Sequence, residues 1–224
     1  MNHPDPLPNR RRFLAAAALT AGMYSVNLAA QTAGTKPETD SGLFVIGPKP
    51  GYTPQIGTLV SMLTYIQSAV LQSVKGLTLA DLDYLFDADA NTIGALLLHL
   101  AATEVYYGMN TFENKKWDSW SDEIKKQWDP AMNLGDAGRK VIKGHVLDYY
   151  LNVLHETREH SLAEFRKRDD KWLLSTDTEQ FGSKEKTNIY WKWFHVCEHE
   201  SHHTGQIAFL TKRLPGAKTK SEGF

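Results

Sequence analysis

Apolar residues recur at intervals of three and four along four segments of the chain, the spacing of an amphipathic α-helix. The first segment contains Leu59, Met62, Leu63, Ile66, Val70 and Leu71. The second begins at the capping pair Asn91-Thr92 and runs to Tyr106, the third covers about 143–167, and the fourth about 186–213. Few segments alternate as strands do, so the pattern predicts an all-α four-helix bundle.

Two connections interrupt this helical pattern. Residues 77–83 are predicted to form a short turn between the first two helices. Residues 114–142 are polar, carry three tryptophans and contain Pro130 and two glycines. We therefore expect them to form an excursion from the bundle with one short helix.

The first residues have the features of an export signal. Asn9-Arg10-Arg11-Arg12-Phe13-Leu14 precedes an alanine-rich stretch that ends in small residues, as in twin-arginine (Tat) leaders. This stretch is too short and too weakly apolar for a stable membrane span. Residues 1–30 are thus predicted to be a Tat-type signal peptide, and the protein is expected to be exported to the periplasm.

Composition then suggests where the folded part lies. Residues 31–54 are rich in Thr, Gly and Pro and are predicted to be a flexible linker. The helical domain is expected over 55–213 and a polar tail over 214–224. The sequence is compatible with a homodimer that forms through an exposed face of the bundle.

Charge and cysteine content exclude several classes of protein. Without residues 1–30, which hold three arginines and one aspartate, the formal net charge falls from −1 to about −3. Nucleic acid is therefore not an expected partner, since its recognition needs a basic surface. Cys197 is the only cysteine, so no internal disulfide can form. It lies two residues before His199, about 200° around a helix, and is expected to face away from it.

Four of the nine histidines lie within nine residues of the fourth segment: His195, His199, His202 and His203. On a helix, His199 and His203 project from one face, and His195 and His199 form a similar pair one turn earlier. His195 and His203 are about 12 Å apart along the axis and cannot easily share an ion. The spacing predicts that one pair binds a divalent metal with a further ligand from elsewhere.

His99 is a candidate for that further ligand. It follows Leu96-Leu97-Leu98 and precedes Leu100-Ala101-Ala102, an apolar neighbourhood where a histidine by itself is usually a hydrogen-bonded core residue. Combined with a pair on the fourth helix, it would complete three neutral nitrogen ligands and leave one position open for water or substrate.

Two motifs make the chain resemble the DinB-like metalloproteins. They are Asn91-Thr92-Ile93-Gly94-Ala95-Leu96-Leu97-Leu98-His99-Leu100-Ala101-Ala102-Thr103-Glu104 and the segment from His195 to Ile207. The resemblance implies a four-helix bundle with a metal site between helix two and helix four, formed by His99, His199 and His203. It also implies zinc or nickel as the metal and, by analogy with characterised relatives, a transferase or isomerase that uses a low-molecular-weight thiol.

Three functions remain open at this point. The first is a metal-dependent transferase or hydrolase that activates water or a thiol, with Gln206, Glu104 and His195 as candidates for supporting roles. The second is a protein that binds a metal or small molecule without catalysis. The third is a zincin-type peptidase, because His199-Glu200-Ser201-His202-His203 satisfies His-Glu-x-x-His and would make Glu200 the general base.

Overall fold

The computed structural model describes residues 42–177 and 186–217. The predicted leader, residues 31–41 of the predicted linker and residues 218–224 of the predicted tail lie outside these residues. The described part forms eight helices and a two-stranded antiparallel pair. In chain order these are α1 (Pro54–Ser73), α2 (Leu79–Leu82), α3 (Ile93–Phe112), α4 (Asp122–Asn133), α5 (Gly135–Val141), α6 (Leu147–Phe165), α7 (Asp170–Leu174), β1 (Thr176–Asp177), β2 (Thr187–Asn188) and α8 (Ile189–Thr211).

The four long helices α1, α3, α6 and α8 form the bundle, which confirms the predicted all-α four-helix class. Helix α3 is its centre, since it packs against α6, α8 and α4 and nearly all of its residues are buried. It begins where Thr92 Oγ1 accepts a hydrogen bond from the Ala95 N–H. Asn188 caps α8 in the same way, through a bond from the Trp191 N–H.

Helix α1 is capped by a residue from another helix. Its own N-cap residue, Thr53, makes no side-chain cap, and Pro54 opens the helix. The carboxylate of Asp170, on α7, instead accepts hydrogen bonds from the backbone N–H groups of Gln55 and Ile56 at 3.0 and 3.1 Å. Two unpaired donors of the first turn are thus satisfied across the tertiary structure.

The connections are more ordered than the sequence pattern predicts. The segment 114–142 holds two helices rather than one. Ser121 caps the start of α4, and Leu134, at φ 55°, lies between the end of α4 and the start of α5. The segment 77–83 contains the short helix α2. A capping box stabilises its start, in which the side chains of Thr78 and Asp81 accept hydrogen bonds from each other's backbone N–H groups. Leu214, predicted to open the polar tail, is buried in the core.

Two apolar clusters make up most of the core. One contains Val70, Leu97, Leu100, Tyr150, Leu154, Ile207 and Leu210, and the other contains Leu59, Leu63, Tyr107, Phe165, Trp193 and Val196. Along each long helix a short stretch separates the two clusters. On α3, α6 and α8 this stretch carries buried polar side chains. In the part of the chain that the structure describes, no helix is long and apolar enough to cross a membrane.

Candidate metal centre

Three histidines from two helices converge at one point of the bundle. His99 lies on α3, and His199 and His203 lie one turn apart on α8. The Nε2 atom of His199 is 3.1 Å from Nε2 of His99 and 3.1 Å from Nε2 of His203. Their potential ligand atoms all lie within 4.8 Å of one another. The structure therefore brings together the three histidines that the sequence singled out.

The outer nitrogens of two rings are held by hydrogen bonds. His99 Nδ1 donates to the backbone carbonyl of Ala131 on α4 at 2.9 Å, and His203 Nδ1 donates to Oε1 of Gln206 at 2.8 Å. A neutral imidazole has one ring N–H, so these bonds leave the Nε2 atoms of His99 and His203 with free lone pairs. If Nε2 of His199 carries a hydrogen, it can donate to only one of these two Nε2 atoms. At least one nitrogen lone pair therefore points into the space that the three rings share.

Burial keeps these histidines neutral at physiological pH. Desolvation lowers the pKa of His99 to about 4. It also lowers the pKa of His199 to about 3, with further lowering by His203 and the other nearby histidines. The pKa of His203 is lowered mainly by burial as well. Neutral imidazole is the form that binds a metal ion.

The donor set fits a divalent transition metal. A tetrahedral ion with metal–nitrogen distances of roughly 2.05 Å separates its ligand atoms by about 3.3 Å, close to the separations of 3.1 Å seen here. His99 is 7 % exposed, whereas His199 and His203 are only half-buried. The α8 side of the cluster is therefore the side from which a small molecule can approach.

A buried ion-pair network lies beside the histidines. Arg158 on α6 donates to both carboxylate oxygens of Glu104 on α3, to Oε2 of Glu200 on α8 and to the carbonyl of Leu63 on α1. The three charged side chains are each at most 5 % exposed. This polar layer, Glu104-Arg158-Glu200 with the Leu63 carbonyl, joins all four long helices at the level between the two apolar clusters.

Arg158 was not among the predicted site residues, although the sequence contains a signal for it. Arg158 lies four residues after Leu154 and seven before Phe165, on the stripe of α6 that the apolar spacing predicts to be buried. An arginine on such a stripe needs a buried counter-charge. Glu104 and Glu200, each on another predicted helix, were the available partners.

The position of Glu200 argues against the peptidase hypothesis. In a zincin the glutamate of His-Glu-x-x-His acts as a general base beside the metal. Here its carboxylate is turned into the core and paired with Arg158 at 2.9 Å. The third histidine comes from α3, upstream of the motif, and not from downstream residues. The local sequence matches His-Glu-x-x-His, but the spatial arrangement does not.

The remaining candidates lie around the cluster rather than in it. His195 bonds Glu198 at 2.8 Å and stacks on Trp191, with its ring centroid 6.0 Å from that of His199. Cys197 packs against the second apolar cluster, and burial raises the pKa of its thiol to about 11. A protonated thiol is a poor metal ligand.

Comparison with known proteins agrees with this architecture. A search of curated proteins found no match to the chain. A family model described as mycothiol-S-transferase matches residues 58–216, which include most of α1, all of α3, α6 and α8, and the three converging histidines. This family is part of the DinB-like group, so the resemblance drawn from the two motifs is confirmed. The chain belongs to the mycothiol S-transferase family.

Proposed function

We propose that this protein is a metal-dependent thiol S-transferase in which His99, His199 and His203 bind one divalent ion. The convergence of the three Nε2 atoms on a shared space is the observation that carries the proposal. Family membership supports the transferase class. Neutral imidazoles support metal binding in particular, since the outer nitrogens of His99 and His203 are held by Ala131 and Gln206.

The proposed reaction transfers the sulfur of a small thiol to an electrophilic carbon. The S–H bond breaks and a sulfur–carbon bond forms, while the leaving group departs with its bonding electrons and the proton is released with it or to solvent. A divalent ion at the three histidines would supply a lowered pKa for a bound thiol or water. The side chains of His99, His199 and His203 would hold and orient the site, and the surrounding core would exclude water from one side of it.

Zinc or nickel is the proposed metal. Three imidazoles with a half-exposed side suit either ion, because both accept neutral nitrogen ligands and an additional small ligand. Oxygen-seeking ions such as Mg²⁺ and Ca²⁺ prefer carboxylates, and the nearby carboxylate of Glu200 is committed to Arg158.

Elemental mass spectrometry of purified protein tests the metal site. We expect near-stoichiometric metal in the wild type and its loss in His99→Ala. His202→Ala is the matched control, because His202 neighbours His203 on α8 yet is 70 % exposed and pairs with Glu198. Glu200→Gln should also keep the metal. Full metal content in His99→Ala would overturn the assignment of that ligand.

Thiol transfer is tested with the metal-loaded protein. Mycothiol, cysteine and glutathione are each supplied with 1-chloro-2,4-dinitrobenzene, and thioether formation is followed by absorbance. We expect one thiol to be preferred and activity to be absent in His99→Ala but present in Ser201→Ala, a change at an exposed position of α8. Bound metal with no transfer from any thiol would instead favour a non-catalytic binding protein.

We also propose that the protein is exported by the Tat pathway, with residues 1–30 as its signal peptide. The support is the sequence Arg10-Arg11-Arg12-Phe13-Leu14 and the alanine-rich stretch behind it. Cell fractionation tests this. Replacing all three arginines with lysine should retain the protein in the cytoplasm, whereas an unchanged periplasmic fraction would contradict the proposal.

A further inference from the structure

A cleft of about 640 Å³ opens beside the histidine cluster. It lies between α8 and the loop that precedes α3. Leu96 lines it one turn before His99, and Gln206 lines it one turn after His203. The cleft therefore adjoins the proposed metal site along both helices, and its volume is within the usual range for a site that binds a small molecule.

One wall of the cleft is aromatic and half-exposed. Phe86 from the loop and Phe209 from α8 meet edge to face, with ring centroids 5.9 Å apart, and are 41 % and 46 % exposed. Leu96 and Leu210 continue this apolar wall inwards. A flat apolar ligand would cover surface that the fold leaves in contact with water.

The cleft also contains hydrogen-bond donors. The side-chain oxygen of Gln206 accepts from His203, and that of Asn91 accepts from the Gly135 N–H. Each amide therefore has its NH₂ group to offer a ligand. Both residues line the cleft, so a ligand with a carbonyl or similar acceptor would be matched.

The charge of the lining disfavours an anion. Asp87 and Asp89 both line the cleft, and its described lining residues include no lysine or arginine. The one histidine of the lining, His202, is paired with Glu198. Asp87 Oδ1 is fixed by the backbone N–H groups of Asp89 and Ala90. An anionic ligand would meet carboxylates of the same charge.

The cations near this cleft have other roles. The Arg213 guanidinium lies 3.5 Å from the ring centroid of Phe209, and its Nη1 donates to the Phe209 carbonyl. Arg139 donates to the carbonyls of Asp89 and Ala90. Arg213 supports one face of Phe209, and Arg139 fixes the loop.

We propose that this cleft binds an uncharged aromatic molecule that carries a hydrogen-bond acceptor, and that such a molecule is the acceptor substrate of the transfer. The binding is argued from the cleft itself, whereas its assignment as acceptor substrate rests on the proposed function. Phe86 and Phe209 would then determine specificity for the ring, and Gln206 would orient the acceptor group beside the histidines.

The probes are 2-naphthamide and 2-naphthoate, which share shape but differ in charge. Binding to metal-free protein is measured by saturation-transfer NMR titration at pH 8. We expect the amide to bind at least about tenfold more tightly than the carboxylate, and Phe209→Ala or Phe86→Ala to weaken amide binding about tenfold. Phe44→Ala is the control, because Phe44 forms a similar edge-to-face pair with Tyr65 elsewhere on the surface.

A charge reversal adds a gain-of-binding test. Asp89 is exposed, so Asp89→Lys should fold normally and should bring naphthoate affinity up to that of naphthamide. Equal binding of both probes to the wild type, or equal losses in Phe44→Ala and Phe209→Ala, would overturn the proposal. Since metal-free protein is used, these outcomes are independent of whether His99→Ala loses metal, which tests the proposed function separately.

Discussion

Nη2 of Arg158 lies 2.9 Å from Oε2 of Glu200, in a contact that joins α6 to α8 at the centre of the bundle. Glu200 is the neighbour of His199 in the chain, so the bond constrains the rotation of α8 about its axis where the histidines emerge. Glu104 is bound by the same guanidinium and lies five residues after His99. The polar layer thus links the two helices that carry the histidines.

Replacing Arg158 with methionine should destabilise the protein severely. Two carboxylates would remain buried without a counter-charge, and breaking such a pair on one side costs about 3–5 kcal/mol. Urea denaturation followed by circular dichroism measures the change. Arg166→Met is the control, since Arg166 is exposed and makes a cation–π contact with Tyr52 worth less than about 1 kcal/mol. Similar losses in both variants would contradict the role given to the polar layer.

Gln206→Ala should weaken metal binding without abolishing it. The amide fixes the ring of His203 through Nδ1, and losing such a support lowers metal affinity by about 10- to 100-fold. Competition with a chromophoric chelator measures the affinity. Ser201→Ala, an exposed position on the same helix, should leave it unchanged. An unchanged affinity in Gln206→Ala would show that His203 is held by other contacts.

Two helical glycines should respond oppositely to alanine. A Cβ at Gly94 would lie 2.6 Å from the hydroxyl oxygen of the fully buried Tyr150, so Gly94→Ala should cost about 1–3 kcal/mol. A Cβ at Gly205 would meet nothing within 4 Å beyond its chain neighbours and the nearby backbone of its own helix, so Gly205→Ala should stabilise α8 by up to about 1 kcal/mol. Thermal unfolding of the two variants in parallel checks both signs, and a gain in Gly94→Ala would be incompatible with this packing.

The stabilising effect of Asp170 should depend on pH. Burial raises the pKa of this carboxyl, but hydrogen bonds from Thr53, Gln55 and Ile56 outweigh burial and hold the pKa below its ordinary value of 3.8. A carboxyl group whose pKa is lower in the folded protein than in the unfolded protein stabilises the fold at pH values above its unfolded-state pKa. This contribution is lost as the pH falls through the folded-state pKa.

The test compares the wild type with Asp170→Ala in urea. The variant should be about 1 kcal/mol less stable at pH 7, as expected for a lost helix cap. This difference should shrink as the pH is lowered below about 4. Asp169→Ala is a useful comparison, because Asp169 caps only its own short helix α7. A difference independent of pH would indicate that packing, not the carboxylate charge, accounts for the role of Asp170.

Much of the site could be predicted from local sequence. The helix period places His199 and His203 on one face whatever the rest of the fold does, because residues four apart are neighbours on any α-helix. The apolar setting of His99 on a second predicted helix made it the natural partner. Their convergence from two helices required only that these helices pack against each other, as the four-helix pattern predicted.

Other features were decided by the tertiary structure. Asp170 caps N–H groups of α1, His99 bonds the carbonyl of Ala131, and Arg158 pairs with Glu104. The partners in these contacts are 32 to 115 positions apart in the chain. Helical periodicity determines the face on which a side chain lies, but not the neighbour that it meets. The sequence by itself therefore determined the helices and the histidine pair, whereas only their packing turned Glu200 to Arg158 and placed an aromatic cleft beside His203.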